Sequence, residues 1–414
     1  MKYLKNKDFI VSITFIAFIT VVFAGTVLTH VKDIAWNVMR NSESYVTDNS
    51  VNSKARSYIT AYESAFNDNI IVKEKCVDFF GLLQKAMGKR VIPTNGFTGT
   101  IVKGNDNKLY TANSVTVSNS KRNYSNEDID AYANSLIELK SLLSSQNTDI
   151  LYVQVPQKYH SGVKVPISLD ADYSDSRIKK MKSLIGDKID YIDFNEIIEK
   201  DDSIKRDDVF FKTDHHWTAE SAFLCYQSIC SYINSNFSFS INPDLFDRDN
   251  WNFNILKNSY LGSSGVRVGK YYVGKDNFAL ITPKFETDFV RNYVSQKTVT
   301  YSGDFRHALI NGYETFMKGN YKELSWGCYC GSDTSFVSIK NNLAENEKKI
   351  LVVKDSFALP ICAFMSTTCK QLDICDLRYY NSSLVELAKK EGYDLVVFIY
   401  NPSAFDTAFF NFNK

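Results

Sequence analysis

Two short motifs, about 140 residues apart, carry residue types that could perform nucleophilic chemistry. The first is Asp214-His215-His216, in which the aspartate stands two positions before His216. At this spacing the carboxylate can accept the Nδ1–H of the histidine and leave Nε2 free to take up a proton. The second motif is Asp355-Ser356, and a serine is a weak nucleophile that needs such a base within hydrogen-bond reach. The two motifs together predict a catalytic triad of Ser356, His216 and Asp214.

Each motif follows an apolar run that predicts a β-strand, over residues 208–212 and 349–353. Because the carboxyl ends of parallel strands meet at one edge of a sheet, we expect the three side chains to converge there. A serine placed where a strand passes into a helix can also stabilise an oxyanion with its own amide. Taken singly, either motif could be a simple helix cap, and their combination favours catalysis.

Short apolar runs alternate with helical stretches over most of the chain. This pattern predicts an α/β fold with an open, mainly parallel sheet. The interval at about 237–345 has no clear periodicity and predicts a long insertion at the active edge. The expected strands are 150–155, 189–194, 208–212, 349–353, 371–375 and 394–400, and the expected helices are 126–145, 177–186, 217–236, 357–368 and 382–391.

The N-terminus carries a 21-residue run without a charged side chain, residues 9–29, behind Lys2, Lys5 and Lys7. A helix of this length spans about 30 Å, the thickness of the hydrocarbon core. The lysines predict a cytoplasmic N-terminus and an external remainder. We expect an N-terminal membrane anchor over residues 1–30, with a cleaved signal peptide and a secreted protein as the alternative. A polar stalk and an amphipathic helix would fill 31–90, and the catalytic domain 91–414.

The composition excludes some classes of partner. With Lys+Arg 48 against Asp+Glu 47, the formal charge is +1, which gives no support for nucleic-acid binding. The eight cysteines are scattered, and their pairing cannot be deduced from the sequence. Because no C-x-x-C, HExxH or His/Cys cluster occurs, we expect neither a metal site nor a cofactor.

The sequence resembles the DHHW proteins, which are related to the alginate O-acetyltransferases and to the SGNH hydrolases. The resemblance rests on the segments 213–218, 353–357 and 376–380. It implies an SGNH hydrolase-like, three-layer α/β/α fold with His216 as base, Asp214 as its partner and Ser356 as nucleophile. Lys354 replaces the Gly of the relatives, which leaves the Ser356 amide as the oxyanion donor. The histidine precedes the serine in the chain, as in the alginate-type branch.

Three further residues are candidates for oxyanion or substrate binding. Arg378 matches the Asp-x-Arg block of the family, but a salt bridge with Asp376 would also explain it. Asn401 follows the apolar run 394–400 and could donate to the oxyanion or form a turn with Pro402. His215 flanks the predicted base and could contact substrate.

The resemblance implies an extracytoplasmic O-acyltransferase, with acetyl as the expected group and a cell-surface polysaccharide as the acceptor. A polytopic membrane acyltransferase would supply the acyl group. The alternatives are an acetyl-ester hydrolase of the same fold and a non-catalytic, glycan-binding assembly subunit. Asp214-His215-His216 alone would also suggest a DHH-type phosphoesterase, but that chemistry needs several further aspartates to hold metal ions and would be expected inside the cell.

Overall fold

The computed structural model describes residues 2–42, 50–94, 99–111, 126–160, 162–166, 171–201, 204–293, 298–318 and 326–413. The chain forms two compact units, Met1–Ala86 and Met87–Lys414. The helices are α1 (Lys2–Asn41), α2 (Val51–Asn69), α3 (Lys73–Ala86), α4 (Asn126–Ser144), α5 (Ala171–Ile185), α6 (Phe194–Lys200), α7 (Ala219–Asn236), α8 (Gly265–Val268), α9 (Lys270–Val273), α10 (Phe305–Leu309), α11 (Tyr313–Met317), α12 (Leu359–Met365), α13 (Leu384–Glu391) and α14 (Thr407–Phe410).

Within the described residues, the strands form three sheets, with orders β1-β2-β3, β5-β4-β13-β11-β12-β10-β8-β9 and β6-β7. They are β1 (Val91–Ile92), β2 (Ile101–Lys103), β3 (Leu109–Thr111), β4 (Asp149–Gln154), β5 (Asp190–Asp193), β6 (Trp251–Tyr260), β7 (Asp276–Pro283), β8 (Phe289–Tyr293), β9 (Val299–Gly303), β10 (Phe336–Asn341), β11 (Lys349–Lys354), β12 (Gln371–Cys375) and β13 (Leu395–Tyr400).

The first unit is helical. Within α1, the stretch Lys7–Met39 is long and apolar enough to cross a membrane. The stalk expected after residue 30 differs from the structure, since α1 continues to Asn41 and α2 follows. Residues 31–90 contain no proline, and the hydroxyl of Ser50 caps α2 by accepting from Ser53 N, so the polar sequence can remain helical. The predicted amphipathic helix corresponds to α3.

The central sheet of the second unit is mixed. Strands β5, β4, β13, β11 and β12 are parallel, as predicted, and β10, β8 and β9 continue the sheet in antiparallel pairing. All three antiparallel strands come from the interval 237–345. The interval was predicted as an insertion, but in the structure it supplies the three strands at one edge of the central sheet. A short connection joins β8 to β9. The described helices between β9 and β10, α10 and α11, have five residues each and are shorter than the helices that alternate with the parallel strands.

Both faces of the central sheet are buried, which gives the predicted three layers. Along β11, Ile350 and Val352 face one core cluster, and Leu351 and Val353 face the other. Helices α7 and α12 pack together on the first face, and α4, α5 and α13 on the second. This double burial explains why the parallel strands are continuous apolar runs.

The expected strand at 208–212 is wrong. Residues 206–208 form a 3₁₀ turn, and the apolar run then closes a tight loop in which Phe210 bridges Trp217. Phe211 N donates to His216 O, and Thr218 N donates to Val209 O, so the segment pairs with itself before α7 begins. Val209, Phe210 and Phe211 are buried in the core as loop residues. Their apolar character reflects this burial and not membership of the sheet.

Candidate active site

The serine segment, residues 354–358, continues directly from the carboxyl end of β11. The Asp355 carboxylate accepts hydrogen bonds from Phe357 N at 2.9 Å and from Asn401 N at 2.6 Å. Burial raises the pKa of Asp355 to about 6, although the two backbone amides oppose this rise. The indole of Trp326 donates to Ser356 O at 2.8 Å. These contacts fix the serine where the strand turns into a 3₁₀ helix.

Ser356, His216 and Asp214 lie in one hydrogen-bonded chain. His216 Nε2 is 2.7 Å from Ser356 Oγ, and His216 Nδ1 is 2.7 Å from Asp214 Oδ1. Asp214 and His216 are buried. Burial opposes ionisation of Asp214, but the neighbouring imidazoles and the hydrogen bonds from His216 outweigh it and hold the pKa of this carboxyl well below its usual range. The geometry suits transfer of the serine proton to His216.

Two aromatic rings hold the His216 imidazole between them. The Trp326 ring stacks on it with centroids 5.0 Å apart and an interplanar angle of 17°, and the Phe357 ring lies 4.9 Å away. Trp326 also donates to Ser356 O, as described above. One side chain therefore contacts both the predicted base and the predicted nucleophile.

The second oxygen of Asp214 is held by the last residue of β6 and by the loop that follows it. Tyr260 Oη donates to Asp214 Oδ2 at 3.0 Å, and Ser263 N donates to the same oxygen at 2.5 Å. Gly262 packs so closely that a Cβ at this position would lie 2.3 Å from Asp214 Cβ. Only glycine allows this approach of the backbone to the carboxylate.

The Asp–His segment, residues 212–218, is also held by two charged side chains, the buried Lys158 and the partly buried Asp276. Lys158 Nζ donates to the carbonyls of Asp214 at 2.6 Å and Leu109 at 2.7 Å. Burial lowers the pKa of Lys158 to about 7, against the attraction of Asp214. On the other side, the Asp276 carboxylate accepts from Lys212 N at 2.7 Å and from Thr213 N at 2.8 Å.

Ser356 lies where two clefts meet. One cleft, of about 320 Å³, is lined by His216, Trp326, Leu261 and Val266 among others. The other, of about 370 Å³, is lined by His215, Lys158, Tyr110 and Arg378 among others. The amide of Ser356 has no hydrogen-bond acceptor within the described part of the chain, so it is available to an oxyanion.

Residues 101–244 match the family of the SGNH hydrolase-like domain of the acetyltransferase AlgX. This stretch includes Asp214 and His216 and ends before Ser356. Among solved structures, Bacillus cereus PatB1 with a sulfonyl adduct is similar at 22% identity, over 76% of this chain and 98% of that chain, with a TM-score of 0.60. A DHHW family protein from Eubacterium siraeum DSM 15702 is similar at 15% identity, over 78% of this chain and 98% of that chain, with a TM-score of 0.52.

These matches confirm the predicted resemblance and the SGNH hydrolase-like α/β fold. At such identities the solved structures establish the fold alone. No curated protein sequence matches this chain. The relation to an acetyltransferase family supports O-acyl chemistry for this SGNH hydrolase-like domain.

The three candidate supporting residues have different surroundings. The side chain of Asn401 forms two structural hydrogen bonds: Nδ2 donates to Pro156 O at 2.8 Å, and Oδ1 accepts from Ser403 N at 3.1 Å. The turn with Pro402 is therefore present, and donation of the second Nδ2 hydrogen to an oxyanion stays a prediction. His215 lies half-exposed in the second cleft, with Nδ1 at 3.1 Å from Ser263 Oγ. Loss of hydration and the adjacent His216 lower the pKa of His215.

Arg378 forms part of a four-charge cluster beside the serine segment. It donates to Asp376 at 2.6 Å and to Asp333 at 2.8 Å, and the buried Lys354 pairs with the same two carboxylates. The attraction of Asp376 and Asp333 outweighs burial and raises the pKa of Lys354. The salt bridge considered for Arg378 is thus present. Lys354 links the end of β11 to Asp333, which itself lines the first cleft.

Asp214, His215 and His216 are the group of potential metal ligands within the described residues, with ligand atoms within 4.8 Å of one another. Nδ1 of His216 and Oδ1 of Asp214 already bond to each other, and Nε2 of His216 faces Ser356. A metal ion would have to displace these contacts. The arrangement therefore fits proton transfer better than metal binding.

Several residues of the site were not predicted from the sequence, namely Lys158, Tyr260, Gly262, Asp276 and Trp326. None of them stands in a motif, and each reaches the site from a distant part of the chain.

The eight cysteines are all free thiols, and every one except Cys76 is buried.

Proposed function

We propose that this protein is an extracytoplasmic O-acyltransferase that modifies a cell-surface polysaccharide, with acetyl as the transferred group. The observation that carries the proposal is the chain Ser356 Oγ, His216 Nε2, His216 Nδ1 and Asp214 Oδ1, with both contacts at 2.7 Å. The similarity to the acetyltransferase AlgX domain supports acyl transfer as the reaction class.

In the first half-reaction, Ser356 Oγ attacks the acyl carbonyl while His216 Nε2 takes the serine proton. The Ser356 amide stabilises the tetrahedral oxyanion, and the bond to the donor oxygen breaks as His216 returns the proton to that oxygen. Asp214 keeps the imidazole in the required tautomer and stabilises its charged form. The product is an acyl-serine and a donor that carries the proton.

In the second half-reaction, a sugar hydroxyl attacks the acyl-serine. His216 takes the hydroxyl proton and passes it to Ser356 Oγ as the ester bond to the serine breaks. Water can replace the sugar hydroxyl, so weak esterase activity is expected of the isolated protein. A dedicated acetyl-ester hydrolase of the same fold remains the second candidate, since the same geometry would serve it.

The N-terminal helix bears on which side of the membrane the reaction would occur. Helix α1 is long and apolar enough to span the bilayer, and the lysines that precede the apolar run favour a cytoplasmic N-terminus. The catalytic unit would then lie outside, where cytoplasmic acyl-CoA is absent. We therefore propose that a polytopic membrane acyltransferase delivers the acyl group across the bilayer to Ser356.

The test compares variants on a chromogenic acetyl ester and in cells. Asp214→Asn should lower kcat by about 10,000-fold, and Ser356→Ala and His216→Ala by at least as much, with the fold retained. In cells, Ser356→Ala should abolish O-acylation of the surface polysaccharide. Increased acylation would favour the hydrolase, and unchanged acylation together with normal ester turnover would remove Ser356 from the mechanism.

A further inference from the structure

Helix α3 exposes its apolar face and buries polar residues. Phe79, Phe80 and Leu83 are 59%, 44% and 43% exposed, whereas Asp78 and Gln84 are buried. At 3.6 residues per turn, Phe79, Phe80 and Leu83 share one face. A helix on the surface of a soluble protein has the opposite arrangement, with apolar side chains turned to the core. The exposed face of α3 therefore calls for an apolar surrounding.

The end of α2 lies level with the apolar part of α1. The rings of Phe23 and Phe66 lie 5.2 Å apart, and Ile71 N donates to Thr26 Oγ1 at 3.3 Å. Ile71 is so close to Gly25 that a Cβ on this glycine would lie 2.7 Å from Ile71 Cδ1. Since α2 starts beyond the end of α1 and returns to this level, it folds back along α1.

The packing between α1 and α2 is close along most of α2. The buried residues of α2 are Ser53, Ser57, Ala61 and Ala65, which recur every four positions and form one narrow face. Small residues at this spacing allow two helix backbones to approach each other closely. The helical hairpin formed by α1 and α2 thus has a defined register. This register fixes the position of Ile71 along the axis of α1.

This register gives the depth at which α3 begins. The apolar run ends at Thr29, and the helical backbone is interrupted at His30, with φ −120° and ψ 18°. Thr26 lies three residues before that end, which is about 5 Å along a helix axis. Amphipathic helices at a membrane surface bury their apolar faces by about 5–10 Å. Lys73, the first residue of α3, follows Ile71 by two positions.

We propose that α3 lies in the outer face of the bilayer, with Phe79, Phe80 and Leu83 among the acyl chains. This inference rests on the membrane anchoring in the proposed function and does not depend on the catalytic triad. Lys75 and Lys85 are exposed and can extend their ammonium groups to lipid phosphates. Residue 87, where the catalytic unit starts, would then lie at the membrane surface.

Cys76 is an exposed cysteine of α3 and can be labelled to test this proposal. Cys76 precedes Phe79 and Phe80 by three and four positions on the exposed face, and the other seven cysteines are buried. The full chain, labelled at Cys76 with an environment-sensitive fluorophore, is placed alone in vesicles of phosphatidylcholine and phosphatidylglycerol. We expect quenching by nitroxide-labelled lipid and protection from aqueous iodide. In Phe79→Ser/Phe80→Ser protein, iodide quenching should increase severalfold.

The matched control places the label on α2. In a Cys76→Ser background, Ile59→Cys lies twelve positions before Ile71, about 18 Å farther along the helix, and Ile59 is exposed. This label should be quenched by iodide and not by lipid nitroxide. Lipid quenching at both positions would overturn the register, since the whole hairpin would then be inserted.

Iodide quenching of Cys76 in pure lipid would overturn the proposal. If the Cys76 label were protected from iodide only in native membranes, a protein partner would cover the exposed face of α3. That result would also contradict the proposal. The Ser356→Ala protein should give the same quenching as the wild type, because the measurement needs no catalysis. Failure of the catalytic proposal and failure of this one are therefore distinguishable.

Discussion

The serine segment and the Asp–His segment supply one site but are positioned in different ways. The serine segment continues β11, and Asp355 caps the turn through the amides of Phe357 and Asn401. The Asp–His segment is a loop, and its partners Lys158, Tyr260 and Asp276 lie 46 to 64 positions away in the chain. The nucleophile thus follows a strand of the central sheet, with added contacts from Asn401 and Trp326, whereas the base lies in a loop that depends on tertiary contacts.

This difference has an energetic reason. Peptide groups within a strand bond to neighbouring strands, but those of a buried loop need other partners. Asp276 accepts from two amides of the Asp–His segment, and Lys158 donates to the carbonyl of Asp214. Removing such partners leaves buried polar groups unsatisfied. Substitutions far from the reacting atoms should therefore affect the Asp–His segment more than the serine segment.

Among substitutions outside the three triad residues, the largest effect is expected from Gly262→Ala. The added Cβ would overlap Asp214 and displace its carboxylate from His216. A displacement of about 1 Å can cost about 100-fold in rate, and we expect a loss of that size in kcat on an acetyl ester. Ser264→Ala, two positions away, is the control, because the buried Ser264 Oγ has no partner among the described residues. Normal turnover in Gly262→Ala would show that the loop yields without moving Asp214.

An intermediate effect is expected from Lys158→Met, which removes the donor to the carbonyls of Leu109 and Asp214. The free energy of unfolding should fall by about 1–3 kcal/mol, and kcat by about tenfold, as the Asp–His segment loosens. Lys164→Met, with an exposed side chain, is the control and should change neither. Unfolding in denaturant, monitored with ester turnover, measures both quantities.

The same lysine predicts a pH dependence. Its pKa is lowered to about 7 in the folded protein, against about 10.4 in an unfolded chain. Between these values the unfolded chain binds more protons, so the stability of the wild type rises with pH relative to Lys158→Met. The destabilisation caused by Lys158→Met should therefore be larger at high pH than at neutral pH. A difference independent of pH would contradict burial as the cause of the lowered pKa.

The smallest effect is expected from His215→Gln. The lowered pKa of His215 keeps its imidazole neutral at pH 7, and its Nδ1 contacts the Ser263 hydroxyl. We expect kcat to stay within about threefold of the wild type, with the acidic limb of the pH–rate profile unchanged. A loss confined to KM for the polysaccharide, with normal ester turnover, would instead identify His215 as a substrate contact.

The elements that could be predicted are those that leave a pattern in consecutive residues. The parallel strands β4, β11, β12 and β13 are apolar runs because helices cover both sheet faces, and α1 is apolar over a length that matches a bilayer. The spacing of Asp214 and His216 and the position of Ser356 after β11 could also be recognised, because each depends on neighbouring residues.

The contacts that join distant segments could not be predicted from the sequence. The apolar run 208–212 has the composition of a strand, yet its backbone pairs within a loop. A buried strand and a buried loop can both be apolar, so the pattern of apolar residues does not distinguish them. Gly262, Tyr260 and Lys158 reach Asp214 from separate elements. Likewise, α3 has the periodicity of an amphipathic helix, but periodicity does not state which face is buried, since that depends on what the chain packs against.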